Sequence, residues 1–153
     1  MGDTIKLLRE CDAGVKMGIE AIDTVIDRVN SEKFRKALCE CRKEHDKLQG
    51  EISELLEKYD SEGKEPNPIA KSMSWIKSNV MMGLNNSDET IADLIFDGCY
   101  MGIKSLTRYL NQYSASDETA RDMARRLIEG EQQLADRMRY FYKKFIDKKL
   151  YSL

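Results

Sequence analysis

The feature of this sequence that most constrains its fold is a helical stripe of apolar residues between positions 34 and 59. Its members recur in alternating steps of four and three, the spacing that places side chains on one buried face of an amphipathic helix. They are Phe34, Leu38, Cys41, Leu48, Ile52, Leu55 and Tyr59. One position of the series, between Cys41 and Leu48, holds His45, the only histidine in the chain. The stripe predicts a core helix with a titratable ring in its buried face.

The same spacing recurs through most of the chain and predicts five helices. The four long ones are predicted at 4–29, 31–59, 87–113 and 116–147, and a short one at 68–82. Tight polar breaks after the first and third long helices predict two antiparallel hairpins, and the longer middle segment predicts a crossover. Gly98 and Gly102 on the third long helix indicate a close approach by a neighbour or a ligand, with Gly98 buried. We therefore predict an all-α four-helix bundle that forms a single domain over residues 1–153.

The composition argues against several classes of partner. The chain carries 25 basic and 27 acidic residues, a net charge of −2, so we expect no nucleic-acid partner. No apolar run approaches the roughly 20 residues of a membrane span, so we expect no membrane partner. The four cysteines lie within helical patterns and not in a disulfide framework, which indicates the reducing cytoplasm. They are Cys11, Cys39, Cys41 and Cys99.

Ionisable residues interrupt the apolar stripes of the other long helices as well. Asp12 and Glu131 occupy core positions of the first and fourth helices, and Asp97 lies beside the stripe of the third. Asp12 and Asp97 each lie about 18 residues before their hairpin turn. His45 lies about 14 residues after the first turn, and Glu131 about 16 after the second. At ~1.5 Å per residue, the heights of all four along the bundle therefore agree within roughly one helical turn. Glu44 adjoins His45 and is an alternative to it. A buried charge is costly unless it is paired, so this polar level predicts contacts among these groups, with water, or with a metal.

A faint internal repeat indicates that the two hairpins are related. The segment Met17-Gly18-Ile19 follows Asp12, and the segment Met101-Gly102-Ile103 follows Asp97.

Two hairpins, a long crossover with a short helix, and inward carboxylates and a histidine resemble the ferritin-like four-helix bundles. The closest resemblance is to small uncharacterised bacterial ferritin-like proteins of about this length. In the wider superfamily a dimetal centre uses one Glu from each of two helices and Glu-x-x-His from each of the other two. Here Arg42 lies three residues before His45, and Leu134 lies three residues after Glu131. The two-histidine centre of the superfamily therefore cannot be assembled. The resemblance implies at most a degenerate metal site. Its candidate residues are Asp12, Glu44, His45, Asp97 and Glu131.

Two functional hypotheses follow. The first is a non-catalytic ferritin-like bundle with a degenerate metal site that acts by surface interaction or self-association. The alternative is a metal-binding redox, storage or stress protein with an altered centre. It would hold one divalent ion (Fe, Mn or Zn) with carboxylates and a single imidazole.

Each ionisable residue also has a plainer interpretation. A core histidine is most simply explained by a hydrogen bond to a carboxylate, here Asp12 or Glu131, and Asp97 and Glu44 can be ordinary boundary residues. The aromatic residues Trp75, Tyr140 and Tyr142 fall on predicted outer faces. They predict a homodimer formed through the crossover or the fourth long helix.

Overall fold

A computed structural model describes residues 2–64 and 87–151 of the 153-residue chain. These residues form four α-helices and no strand, which confirms the all-α prediction for the part described. The helices are α1 (Asp3–Val25), α2 (Glu32–Lys58), α3 (Asp88–Gln112) and α4 (Glu118–Tyr151). None of them is long and apolar enough to cross a membrane. The predicted short helix at 68–82 and the predicted outward position of Trp75 lie outside the described residues.

The helix bounds follow the predicted ones except at the ends of α1 and α4. The end of α1 tightens into a 3₁₀ turn over Ile26–Arg28, so the α-helical part is shorter than predicted. The α4 helix runs past the predicted end at 147 to Tyr151, and Lys149 of that extension forms an ion pair of 2.7 Å with Glu89. Before that point the helix packs against the start of α2. Phe141 and Phe145 lie 5.1 and 5.4 Å from Phe34, measured between ring centroids.

Three of the helices begin with a side-chain cap that satisfies a backbone N–H of the first turn. Ser31 accepts a hydrogen bond from the backbone N–H of Phe34 at 3.3 Å, Ser87 from Thr90 at 3.3 Å, and Asp117 from Ala120 at 2.9 Å.

Two carboxylates tie the beginnings of α1 and α3 to the hairpin turns. The Asp88 carboxylate accepts hydrogen bonds of 2.8 Å from the backbone N–H groups of Asn30 and Ser31, so α3 begins beside the α1–α2 turn. The Asp3 carboxylate accepts one of 3.0 Å from the backbone of Ala115, so α1 begins beside the α3–α4 turn. Consecutive helices within each hairpin are therefore antiparallel, whereas α2 and α3 run in the same direction.

The interior divides into two apolar cores, one toward each end of the bundle. The upper core, beside the α1–α2 turn, includes Ile22, Phe34, Leu38, Ile91, Ile95, Leu134 and Met138. The lower core, beside the α3–α4 turn, includes Leu7, Leu8, Ile52, Leu56, Leu106, Ala124 and Leu127. All fourteen of these side chains are buried. Gly98, which the sequence predicted to be buried, is only partly buried.

Candidate functional site

A polar layer separates the two cores, and each long helix contributes one residue to it. In sequence, each of these residues falls between the last residue of one core and the first of the other on its own helix. The polar layer consists of Gly18 on α1, His45 on α2, Gly102 on α3 and Glu131 on α4. His45 is 5% exposed, and the side chain of Glu131 is 15% exposed. The structure thus brings together two of the five predicted site residues.

Both ring nitrogens of His45 face hydrogen-bond acceptors. Nδ1 lies 2.8 Å from the backbone carbonyl oxygen of Cys41, one turn earlier on α2. Nε2 lies 2.8 Å from Oε1 of Glu131. A carbonyl and a carboxylate can only accept, so the ring satisfies both contacts when both of its nitrogens carry a proton. The geometry therefore fits an imidazolium–carboxylate ion pair that joins α2 to α4.

The environment of His45 favours this charged form. Burial works to lower the pKa of the imidazole because it removes the cation from water, and this is the largest single influence. The hydrogen bond and the negative charge of Glu131 oppose burial, and the Cys41 carbonyl adds to them. Their sum outweighs burial, so the pKa of His45 is raised above its ordinary value of 6.5.

Both glycines of the polar layer border the ion pair, and Gly18 makes room for it. A Cβ added at Gly18 would lie 2.8 Å from Cδ2 and 2.9 Å from Nε2 of His45, closer than carbon atoms approach in proteins. A Cβ at Gly102 would lie 3.6 Å from Oε2 of Glu131, an ordinary contact. These are the equivalent glycines of the internal repeat, so each hairpin places a glycine beside its own ionisable residue. The sequence pattern had aligned the two glycines without indicating what they border.

Two cysteines border the polar layer and remain protonated thiols at neutral pH. Burial, the largest influence, raises the pKa of Cys41 to about 11. Burial also raises the pKa of Cys99, and the charge and a hydrogen bond of Glu131 raise it further. A buried thiol of this kind is a poor nucleophile and a poor metal ligand, since both roles need the thiolate. The sequence predicts that Cys39 and Cys41 are buried small apolar residues; Cys41 is buried, whereas Cys39 is exposed.

Asp12 belongs to a different cluster, which we call the Asp12 clamp. It is 1% exposed, and its Oδ2 accepts contacts from Lys16 Nζ at 2.7 Å and from the backbone N–H of Lys64 at 3.0 Å. The Lys64 ammonium forms an ion pair with Glu10. Gly63 lies so close that an added Cβ would be 2.3 Å from Oδ2 of Asp12. The clamp therefore holds the chain that follows α2 against α1.

Three predicted site residues thus lie apart from the His45–Glu131 pair. Asp12 is buried as predicted, but Gly18 is the α1 residue at the height of His45, about 9 Å further along the helix. Glu44 is exposed. Asp97 is partly buried, and its pKa is raised by burial and by the nearby charge of Asp93. Within the described ranges, no hydrogen bond or ion pair links any of these three carboxylates to the pair.

The residues that the structure brings together do not fit a resident metal ion. In residues 2–64 and 87–151 no three side chains of His, Cys, Asp or Glu are grouped so as to hold one. His45 and Glu131 supply two donors, and each already uses an oxygen or nitrogen on the other. The neighbouring thiols are protonated. A dimetal centre of the ferritin-like kind would need several more carboxylates at this level.

A groove between α1 and α3 reaches the polar layer from the surface. Its volume is about 370 Å³, and Glu131 lines it together with small or flexible residues of the two helices. Among these residues are Gly14, Met17, Gly18, Met101 and Gly102. The groove fits the partial exposure of the Glu131 side chain and gives protons a route to the ion pair.

Comparison with known proteins places no family name on this arrangement. A scan against protein-family models, a search of curated proteins and a search of solved structures each found no match.

Proposed function

We propose that this protein is a non-catalytic helical bundle of the ferritin-like type that acts in the cytoplasm through its surface. In this proposal the inner metal position of such bundles has become the His45–Glu131 ion pair. The observation that carries the proposal is that both nitrogens of the only histidine are used within the protein, at 2.8 Å each. The four cysteines, all free, support the reducing compartment.

The course of the helices supports the ferritin-like part of the proposal. The α2 helix ends at one end of the bundle and α3 begins at the other, beside Asn30 and Ser31. One long connection between parallel helices is characteristic of ferritin-like four-helix bundles, and this course of the helices supports the proposal. The polar layer, which has one residue from each helix and two glycines related by the internal repeat, supports the same conclusion. Ferritin-like bundles carry their metals in a layer of this kind.

The chemistry of the polar layer supports the absence of catalysis. A general base needs a free lone pair near a substrate, but the imidazole of His45 donates from both nitrogens. The thiols of Cys41 and Cys99 are buried and protonated, so neither is an activated nucleophile. What the layer does supply is a specific link between the two hairpins.

Surface interaction is better supported than the predicted homodimer. Tyr140 and Tyr142 on α4 are 55% and 39% exposed, as a docking surface requires. However, they lie among lysines, so pairing two α4 helices face to face would bring like charges together. Light scattering at high micromolar concentration separates the two roles. A dimer mass would support self-association through this surface. A monomer mass would support a role of the surface in binding a different partner.

Metal analysis of protein purified without a histidine tag tests the proposal. We expect substoichiometric Fe, Mn and Zn, and no change in melting temperature or oxygen uptake when Fe²⁺, Mn²⁺ or Zn²⁺ is added. One equivalent of tightly held metal that disappears in His45→Leu would overturn it and establish the metal-binding alternative. Lys47→Leu is the control, because Lys47 is an exposed residue of the same helix outside the polar layer.

A further inference from the structure

The charge of this chain is unevenly distributed, which the net value conceals. The last turns of α4, residues 139–151, contain five basic residues against one acidic residue and carry +4, which leaves −6 on the rest. The basic residues are Arg139, Lys143, Lys144, Lys148 and Lys149. We call residues 139–151 the basic end of α4.

Most of these charges are not neutralised within the described part of the protein. Lys149 pairs with Glu89 at 2.7 Å, and Lys144 lies 4.8 Å above the ring of Tyr140. Arg139, Lys143 and Lys148 have no ion pair or hydrogen bond there. Several arginines elsewhere are paired with carboxylates; Arg35 contacts Glu32, Arg42 contacts Asp23 and Asp46, and Arg126 contacts Glu51. The helix dipole favours lysines in the last turn, but Arg139 and Lys143 lie too far from the C-terminus for that effect.

Exposed apolar side chains accompany these charges. Tyr140 is 55% exposed, Leu150 63% and Tyr151 90%. Lys143, Lys144, Asp147 and Tyr151 follow Tyr140 by three, four, seven and eleven residues, so all five lie along one side of the helix. Tyrosine has an apolar body with a polar tip, and lysine carries its charge on a long apolar stem. Side chains of both kinds suit the boundary between water and a lipid headgroup layer.

We propose that the basic end of α4 docks the protein onto the surface of a bilayer rich in anionic lipid. This deepens the proposed function, on which it rests, by naming the partner of the surface. Clusters of four to eight Lys or Arg on a helix are typical of binding to anionic headgroups. The exposed Leu150 favours a bilayer over nucleic acid, because a leucine side chain can enter the acyl region but has no partner on a phosphate backbone. This proposal departs from the expectation of no membrane partner, which rested on the absence of a spanning segment; surface docking does not require such a segment.

The acidic residues at the opposite end of α4 are too far away to oppose docking of the basic end. Glu118, at the other end of α4, lies about 30 Å along the helix from Arg139. The Debye length at physiological salt is about 8 Å, so the acids of the far end are screened from a surface that meets the basic end.

Co-sedimentation with vesicles tests this proposal. The probes are phosphatidylcholine vesicles, the same vesicles with about one third phosphatidylserine, and a single-stranded oligonucleotide as competitor. We expect binding only to the anionic vesicles, with loss at ~1 M salt. The triple variant Arg139→Gln/Lys143→Gln/Lys148→Gln should lower the partition coefficient by roughly a hundredfold, at about fivefold for each charge.

A matched control removes the same net charge elsewhere. The variant Lys33→Gln/Lys47→Gln/Lys104→Gln changes three exposed lysines of α2 and α3 and should keep most of the binding. Equal loss in both triple variants, no binding to anionic vesicles, or preferential binding of the oligonucleotide would each overturn the proposal. A second variant, Leu150→Ser/Tyr151→Ser, removes exposed apolar surface without changing the charge and should weaken binding to the anionic vesicles at low salt. The vesicle assay uses protein treated with a chelator, so its outcome does not depend on metal. Absence of vesicle binding would overturn the docking proposal and leave the ion pair of the proposed function intact. Bound metal would overturn the ion pair alone.

Discussion

Two buried acids of this bundle, Glu131 and Asp12, are stabilised in opposite ways. Glu131 is paired with His45 on another helix, across the middle of the interior. Asp12 is paired with Lys16 on its own helix and with the backbone of Lys64, at the edge of the bundle. Glu131 therefore joins two hairpins, whereas Asp12 fixes the course of the chain that leaves α2.

The difference shows that a buried acid at a core position of a helix does not by itself mark a metal site. Both acids satisfied the same sequence criterion, and each found a cationic partner that lowers the cost of its burial. In the described part of the chain, Oδ1 of Asp12 has no hydrogen-bond partner, so the clamp is the less completely satisfied of the two. The following variants probe the polar layer and the clamp separately.

The largest effect is expected from breaking the ion pair from one side. His45→Leu leaves the carboxylate of Glu131 mostly buried without its cation and should lower the free energy of unfolding by about 3 kcal/mol. The double variant His45→Leu/Glu131→Leu should recover most of that loss, because apolar replacement of a whole buried pair is close to neutral. Urea unfolding at neutral pH measures both. If the loss of unfolding free energy in the double variant equals the sum of the losses in the two single variants, direct pairing of His45 with Glu131 is contradicted.

A methyl group at Gly18 should be the next most damaging change. Gly18→Ala places a Cβ 2.8 Å from the His45 ring, and the displacement should cost about 2 kcal/mol. Gly14→Ala is the matched control, one turn earlier on α1, where an added Cβ meets nothing within 4 Å. There we expect a gain of about 0.5–1 kcal/mol from helix propensity. Similar melting temperatures for the two variants would show that Gly18 does not border the ring.

The Asp12 clamp should respond less to the equivalent change. Gly63→Ala places a Cβ 2.3 Å from Oδ2 of Asp12, a closer approach than at Gly18. Gly63 is exposed and outside a helix, so the chain there can shift, and we expect a loss of about 1 kcal/mol. The control is Gly50→Ala on α2, where a Cβ has open space. A loss larger than that of Gly18→Ala would reverse the order of the two sites.

The smallest effect is a pH dependence that only the polar layer should show. The pKa of His45 is raised in the folded protein, so the pair contributes stability that is fully present below the unfolded value of about 6.5. That contribution is lost as the pH rises through the folded pKa. The difference in unfolding free energy between wild type and Glu131→Gln should therefore shrink as the pH rises above 6.5. A difference that grows with pH would contradict the sign of the shift.

The fold was largely predictable because the apolar stripes have a helical period through most of the chain. The end of α4 was not, because the apolar stripe stops at Phe145 and the ion pair of Lys149 with Glu89 depends on the tertiary arrangement. The pairing of His45 with a carboxylate was one of two alternatives, and the choice of Glu131 over Asp12 needed the relative heights of the helices. Counting residues from the turns misplaced Asp12 by about 9 Å, which is enough to separate two side chains. The basic end of α4 was readable in the sequence but hidden by a net charge near zero.

The most direct test of the central claim is an NMR titration of the His45 ring, whose nitrogen signals are unambiguous because the chain has one histidine. We predict a ring protonated at both nitrogens at pH 6.5, with a pKa above that value that falls when Glu131 is replaced by Gln. A neutral ring at pH 6.5, or signals that change on adding a chelator, would contradict an ion pair in the polar layer.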